Sequence, residues 1–218
     1  SSTAAVFGEP TETPITEAHD TRPINPYGET KLAIERALGH FERAYGLRSV
    51  ALRYFNAAGA DPEGEIGEDH RPEAHLIPLA IEAARGGDPL RVFGGDYPTP
   101  DGTCLRDYIH VNDLAQAHTL ALGALEAGGA SAVYNLGNGH PFSVREVIAA
   151  VERVTGLPVP WTADPRREGD PSVLFASSAR IQRDLGWVPS ISSLDAIVET
   201  AWRWHSTHPR GFTDRTEG

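Results

Sequence analysis

The sequence predicts an α/β protein in which helices cover a parallel sheet, and three observations carry that prediction. A helical stretch after Pro26 leads into Ser49–Phe55, a short apolar run of strand length. Two more such runs, Tyr108–Val111 and Val133–Leu136, flank an alanine-rich helical stretch, and strand-helix-strand order favours parallel pairing. The composition, 40% hydrophobic and 22% charged over 218 residues, is that of an ordinary globular chain with a sizeable core.

Taken in order, Ser1 to Gly8 reads as a strand end running into a turn. In the first helix Ile34, Ala37, Leu38, Phe41 and Tyr45 recur at three and four, and Gly46 ends it. After the Ser49–Phe55 strand come Asn56 and the small residues Ala57, Ala58 and Gly59, then a Gly-, Pro- and acid-rich loop over 61–73. Ile77–Ala84 reads as helix, Leu90–Phe93 as extended and Asp96–Gly102 as a turn-rich connection. A helix from Asn112 to about Leu125 separates the next two strands. Ser143 and Glu146 have capping-box spacing and open a helix that Gly156 closes. Two further helices are expected, Ser178–Leu185 and Ser193–His205, before a polar, frayed tail from Pro209 to Gly218.

A formal net charge of −11 opposes a general attraction to nucleic acid or anionic lipid, so an anionic ligand needs locally placed arginines. No apolar run approaches the roughly 18 residues of a membrane span, and a single cysteine, Cys104, forms no intrachain disulfide. Cytoplasm is the expected compartment. With no methionine and an opening inside a structural element, the chain is expected to be part of a longer product.

Tyr27 and Lys31 stand four apart on the first helix and share a face. A free phenol ionises near pH 10, so base chemistry at neutral pH asks for roughly 4 kcal/mol of help, part of which a neighbouring ammonium supplies. The alternative for this pair alone is an exposed helix turn with a lysine stem against a ring. Thr3, at the end of an apolar strand, stands where parallel sheets meet ligands. Arg106 and Arg167 suit phosphate because forked guanidiniums bind its oxygens in pairs. The alternative is surface ion pairing with Asp107, Glu168 and Asp170 beside them. Cys104 reads as a small apolar turn residue, and His205 and His208 as a solvated helix end without a metal. Trp202 and Trp204 read as packing groups.

Segments spread over most of the chain carry a resemblance: Ser1 to Gly8; Asn25 to Lys31; Leu52 to Ala60; Ile66 to His70; His75 to Pro78; Val92 to Thr99; Asp101 to Val111; Arg166 to Asp170. In order and spacing they resemble the UDP-glucose/UDP-galactose 4-epimerases of the extended short-chain dehydrogenase/reductase family. The resemblance implies a partial doubly wound, Rossmann-type parallel sheet with a smaller α/β substrate-binding domain. Residues 1–60 then belong to the NAD-binding domain and 61–208 to the UDP-sugar domain, with 106–125 packing back on the first. It implies NAD as cofactor and UDP-galactose and UDP-glucose as substrates, interconverted through a 4-keto sugar. Tyr27 is then the base at the sugar 4-hydroxyl, Thr3 its relay and Lys31 the residue that favours phenolate and holds the nicotinamide ribose. Tyr54 and Phe55 flank the nicotinamide, and Asn56 donates to the UDP-sugar. Arg106 and Arg167 clamp the pyrophosphate. Phe93, His75 and Leu76 line the uridine end, Asp170 orders the ribose or its neighbouring arginine, and Leu174 sets room beside the sugar 2-position. A homodimer through helices that include the Tyr27 helix is expected.

One part of the family pattern is missing. No strand is followed by Gly-x-Gly-x-x-Gly, because Gly137-Asn138-Gly139 runs into Phe142 where glycine is needed. The adenosine half of an NAD site is therefore expected on an upstream segment, and the 218 residues alone are expected to be inactive and to bind NAD poorly. Ala4 and Ala5 stand where a 4,6-dehydratase needs an acid, which disfavours dehydration. Epimerases of UDP-N-acetylglucosamine or UDP-glucuronate, and a non-catalytic UDP-sugar-binding fragment, stay open as alternatives.

Overall fold

The structure, a computed structural model, describes residues 1–167 and 169–212. Glu168 and the end of the expected tail, 213–218, lie outside the described residues. In chain order the elements are β1 (Ser2–Thr3), a 3-10 turn (Ala4–Phe7), α1 (Pro26–Tyr45), β2 (Val50–Tyr54), β3 (Asn56–Ala58), α2 (Leu76–Ala84) and β4 (Leu90–Phe93). There follow β5 (Leu105–Arg106), β6 (Tyr108–His110), α3 (Val111–Glu126), β7 (Ala132–Leu136), β8 (Phe142–Ser143) and α4 (Val144–Thr155). The last are β9 (Trp161–Asp164), β10 (Val173–Leu174), α5 (Ala179–Leu185) and α6 (Leu194–Thr207).

The fold is α/β with parallel pairing throughout its longer ladders. One sheet runs β1-β2-β7, with Thr3 opposite Tyr54 and Tyr54 opposite Leu136. Strands β3 and β6 form a parallel pair, as do β4 and β9, and a third small sheet runs β10-β5-β8 with only β5 and β8 antiparallel. Strand β7 and helices α3 and α5, all from beyond residue 60, join β2 in one core through Leu52, Leu114, Leu136, Ile181 and Trp187. A second core lies between α2, α4, α6 and β4, where Ile81, Val92, Val147, Val151 and Ile197 meet. Among the described residues no helix is long and apolar enough to cross a membrane.

Local chemistry explains where the helices begin and end. Ser143 and Glu146 make the capping box that opens α4, a feature worth roughly 1 kcal/mol, and Gly156 closes it at a φ of 70° that glycine alone adopts without strain. In α1 the apolar stripe that betrays the helix is its outer face: Ile34, Phe41 and Tyr45 are exposed, and the buried positions are Gly28 and Leu32. The periodicity finds this helix from its solvent side.

Candidate active site

The end of β1 and the start of α1 are built against each other. Thr3 closes β1, and its Oγ1 accepts from the backbone N–H of Ala5 at 3.2 Å, capping the 3-10 turn and keeping its own O–H to donate. Asn25 caps α1 by accepting from Gly28 N at 2.8 Å, with Pro26 at the first helical position. A Cβ on Gly28 would stand 2.5 Å from the Ala5 carbonyl oxygen, so glycine is what lets the helix start press on the turn. Tyr27 thereby projects from the first turn, half exposed, with the Lys31 ammonium 5.8 Å from its ring centre. Lys31 Nζ donates to the Ser1 carbonyl at 3.2 Å and, with three N–H groups, keeps donors for a ligand. Tyr54, level with Thr3 on the neighbouring strand, shares a 2.5 Å hydrogen bond with the Ser1 hydroxyl.

One residue of this region escaped sequence reasoning. Glu35, one turn beyond Lys31, is buried against β2 and accepts both arms of the Arg53 fork, at 2.9 and 2.5 Å, and the Ser2 hydroxyl at 2.5 Å. Burial pushes its carboxyl up, but hydrogen bonds from Arg53 and Ser2 and the Arg53 charge outweigh burial and hold it below the usual carboxylate range. The spacing from Tyr27 through Lys31 to Glu35 was visible; its partner across the sheet was not.

Two residues on from Tyr54 the chain enters a cleft of about 590 Å³. Asn56, His75, Leu76 and Phe93 line it, together with Arg106, Arg167 and Asp170, so seven of the expected ligand residues converge. Asn56 spends one side-chain N–H on the Asp107 carbonyl at 2.7 Å, which fixes the amide. Arg106 pairs with Asp170 and donates to the carbonyls of Pro171 and Leu105, both at 2.7 Å. Asp170 thus meets Arg106 across the small sheet from the segment beyond β9. The Arg167 guanidinium lies 3.9 Å from the centre of the Phe93 ring. His75 bonds Glu68, and that hydrogen bond raises the imidazole above its ordinary value. Phe55 and Leu174 pack instead against the small core of Val6, Phe7, Ile15 and Leu32.

Residues 1–137 match the family described as NAD dependent epimerase/dehydratase. The chain belongs to this epimerase/dehydratase family. It is 56% identical over 214 residues to the UDP-glucose 4-epimerase of Halalkalibacterium halodurans and 53% identical over 216 to that of Lacticaseibacillus casei. It spans 64% and 65% of the length of those relatives, which cover 98% and 99% of it. Among solved structures, UDP-glucose 4-epimerase from Brucella ovis in complex with NAD is 51% identical with a TM-score of 0.90, covering 92% of this chain and 62% of its own. The Bifidobacterium longum enzyme in complex with NAD+ and UDP is 40% identical with a TM-score of 0.91, covering 97% and 64%.

The epimerase/dehydratase cleft rests on a buried carboxylate. Asp107, fully buried, accepts from the backbone N–H groups of Asn138 at 2.7 Å and Ala176 at 3.1 Å. A Cβ on Gly137 would stand 2.2 Å from Asp107 Oδ2, so the Gly137-Asn138 turn is a cradle for the protein's own acid. Burial pushes the carboxyl up to about 6 against the pull of these hydrogen bonds. Between the ordinary carboxylate range and pH 6 the folded chain therefore holds a proton that the unfolded chain has lost, and stability falls as pH rises through that window. The whole effect is about 3 kcal/mol at most. Urea unfolding of Asp107→Asn between pH 4 and 7 is expected to show a shallower fall than the parent; an unchanged slope would assign the titration elsewhere.

Three remaining expectations resolve simply. Cys104 is buried, and burial pushes its thiol up. Trp204 is fully buried, its Nε1 donating to the Glu68 carbonyl at 2.9 Å. The last histidines are not simply solvated: His208 stacks on Trp204 at 3.9 Å, and His205 lines the cleft and is lowered by burial. The helix end folds back over α6, which a polar sequence could not reveal.

Proposed function

We propose that this chain is the substrate-binding and catalytic part of a UDP-glucose 4-epimerase that interconverts UDP-galactose and UDP-glucose with bound NAD. The observation that carries the reading is the convergence of two guanidiniums on a cleft that opens two residues beyond Tyr54, about 7 Å of chain at most. One end suits a nucleoside diphosphate and the other a proton transfer. Similarity to the UDP-glucose 4-epimerases of H. halodurans, L. casei, B. ovis and B. longum supports the same reading.

In this proposal Arg106 and Arg167 hold the diphosphate, with Phe93, His75 and Leu76 at the uridine and Asn56 at the sugar. Tyr27 removes and returns the proton of the sugar 4-hydroxyl, with Thr3 as relay and Lys31 stabilising the phenolate. NAD supplies a reversible hydride acceptor for the sugar carbon. At its nicotinamide end Lys31 and Tyr27 would offer donors to a ribose, with Tyr54 on the neighbouring strand beside the ring, while Phe55, packed against the small core, would support that wall from behind. Residues 1–60, with α3, β7 and α5, form the NAD side in this division, and the cores around α2, α4 and α6 form the substrate side. Leu174, which packs against the small core of Val6, Phe7, Ile15 and Leu32, keeps in this reading the place beside the sugar 2-position that the resemblance gives it. A homodimer is proposed through α1, whose exposed Ile34, Phe41 and Tyr45 form an apolar stripe. Cytoplasm is the proposed compartment, in keeping with one buried free cysteine.

The test has two arms. The chain joined to the N-terminal third of the H. halodurans relative is expected to turn over UDP-galactose, and the 218 residues alone to bind UDP without NAD. Arg167→Ala should weaken UDP by on the order of 10–100-fold, the value of lost charge-assisted hydrogen bonds. UDP affinity unchanged by that substitution, seen by calorimetry, would remove the clamp.

A further inference from the structure

The loop that leads into α2 carries two histidines and two glutamates within eight residues, and the fold turns all four toward one point. His70 Nδ1 lies 2.8 Å from Glu68 Oε1 and 3.6 Å from Glu73 Oε1. His75 Nδ1 touches Glu68 Oε1 and stands 3.8 Å from Glu73 Oε1. One donor atom from each residue falls within 4.8 Å of all the others. We propose that Glu68, His70, Glu73 and His75 form a binding site for a zinc ion at the rim of the cleft.

The spacing supports this directly. Bonds of about 2.0–2.2 Å to nitrogen and oxygen put tetrahedral ligand atoms about 3.3 Å apart, inside the range these donors already span. Two imidazoles argue against magnesium and calcium, which take oxygen, and two carboxylates balance the charge of a divalent ion. The two glutamate positions are also steadied by backbone contacts. Glu73 Oε1 accepts from the backbone of Ala74 and His75 at 2.7 and 2.8 Å, and the Glu68 carbonyl is held by Trp204 Nε1 at 2.9 Å. Glu68 and Glu73 are the more sheltered pair, while His70 and His75 are half exposed, which leaves an entry path for the ion. The sequence Glu-Asp-His-Arg-Pro-Glu-Ala-His bears the signal, although only the histidines of the last helix drew attention as metal candidates.

Because His75 also lines the larger cleft, an ion on its Nδ1 fixes the other ring nitrogen as an N–H donor. The site therefore adds positive charge and a set donor at the cleft rim. The zinc proposal stands on the four side chains and does not depend on the epimerase reading.

The full 218-residue chain, stripped with a chelator and titrated with zinc chloride against a chromophoric competitor, is expected to take up one zinc per chain. His70→Ala and, as a variant that keeps the loop's backbone hydrogen bonds, Glu73→Gln should each weaken binding by at least on the order of 10–100-fold, the loss that even a residue behind a ligand produces. Cobalt in place of zinc should give the strong visible absorption of a four-coordinate ion. Zinc uptake that both variants leave unchanged, or a weak six-coordinate cobalt spectrum, overturns the site and leaves a network of proton-shared histidines and glutamates.

Discussion

Tyr27→Phe, in the chain completed at its N-terminus, lowers kcat for UDP-galactose by on the order of 10²–10⁴-fold, the usual value of a positioned acid-base group. The substitution deletes one oxygen from a half-exposed ring and leaves the helix start intact. Asn25 still caps Gly28, and Gly28 still sits on the Ala5 carbonyl. Affinity for UDP is expected to be unchanged, because the guanidiniums that would hold it belong to β5 and to the segment beyond β9. A fall in kcat with UDP binding kept is the signature of an interaction made in the transition state alone. Stopped turnover accompanied by lost UDP binding would point to misfolding, and a kcat within a few-fold of the parent would end Tyr27's candidacy as the base. Lys31→Met in the same background should lower kcat as well, since it removes the ammonium 5.8 Å from the ring.

How much of this was legible beforehand depended on length and on partners. The helices and the strands of three to five residues from Val50, Leu90, Tyr108 and Ala132 were readable because caps and apolar periods mark them. Strands β5, β8 and β10, of two residues each, have no period to read, and β9 is largely exposed along its length. Asn56–Ala58 read as small residues after a strand, yet it pairs in parallel with β6, a partner more than fifty residues away that no local pattern announces. The residues expected to meet ligand in the cleft were visible as a set since their spacing resembles a family. Glu35 and the Glu68–His75 cluster were not, although both are plain in the sequence. A glutamate on a mostly exposed helix signals nothing until β2 brings Arg53 beneath it, and a loop of charged residues reads as solvated until its side chains converge.

Arg53→Leu alone is expected to cost about 3–5 kcal/mol of stability, because it strands a buried carboxylate. The side chains of Arg53 and Glu35 are 7% and 9% exposed, the guanidinium lies 5.0 Å from the Phe7 ring, and both carboxylate oxygens are engaged. Desolvation of both charges offsets most of what their attraction returns, so the pair itself is a weak net stabiliser. The double change Arg53→Leu with Glu35→Leu should therefore recover most of the loss, and a double-mutant cycle by urea unfolding would read a large coupling. A single substitution costing less than about 1 kcal/mol would show that water reaches the pair and that burial is not what makes it matter. The contribution of the pair has a pH direction too. With the Glu35 carboxyl held below its ordinary value, stability from it is complete above the usual carboxylate range and is lost as pH falls through the lowered one. What the apolar pair would not restore is direction: the fork joins Ser2 on β1, Arg53 on β2 and Glu35 on α1 at one point, two helical turns from Tyr27. A double variant as stable as the parent but slower in turnover would show that this buried charge sets the register of the helix carrying Tyr27 and Lys31.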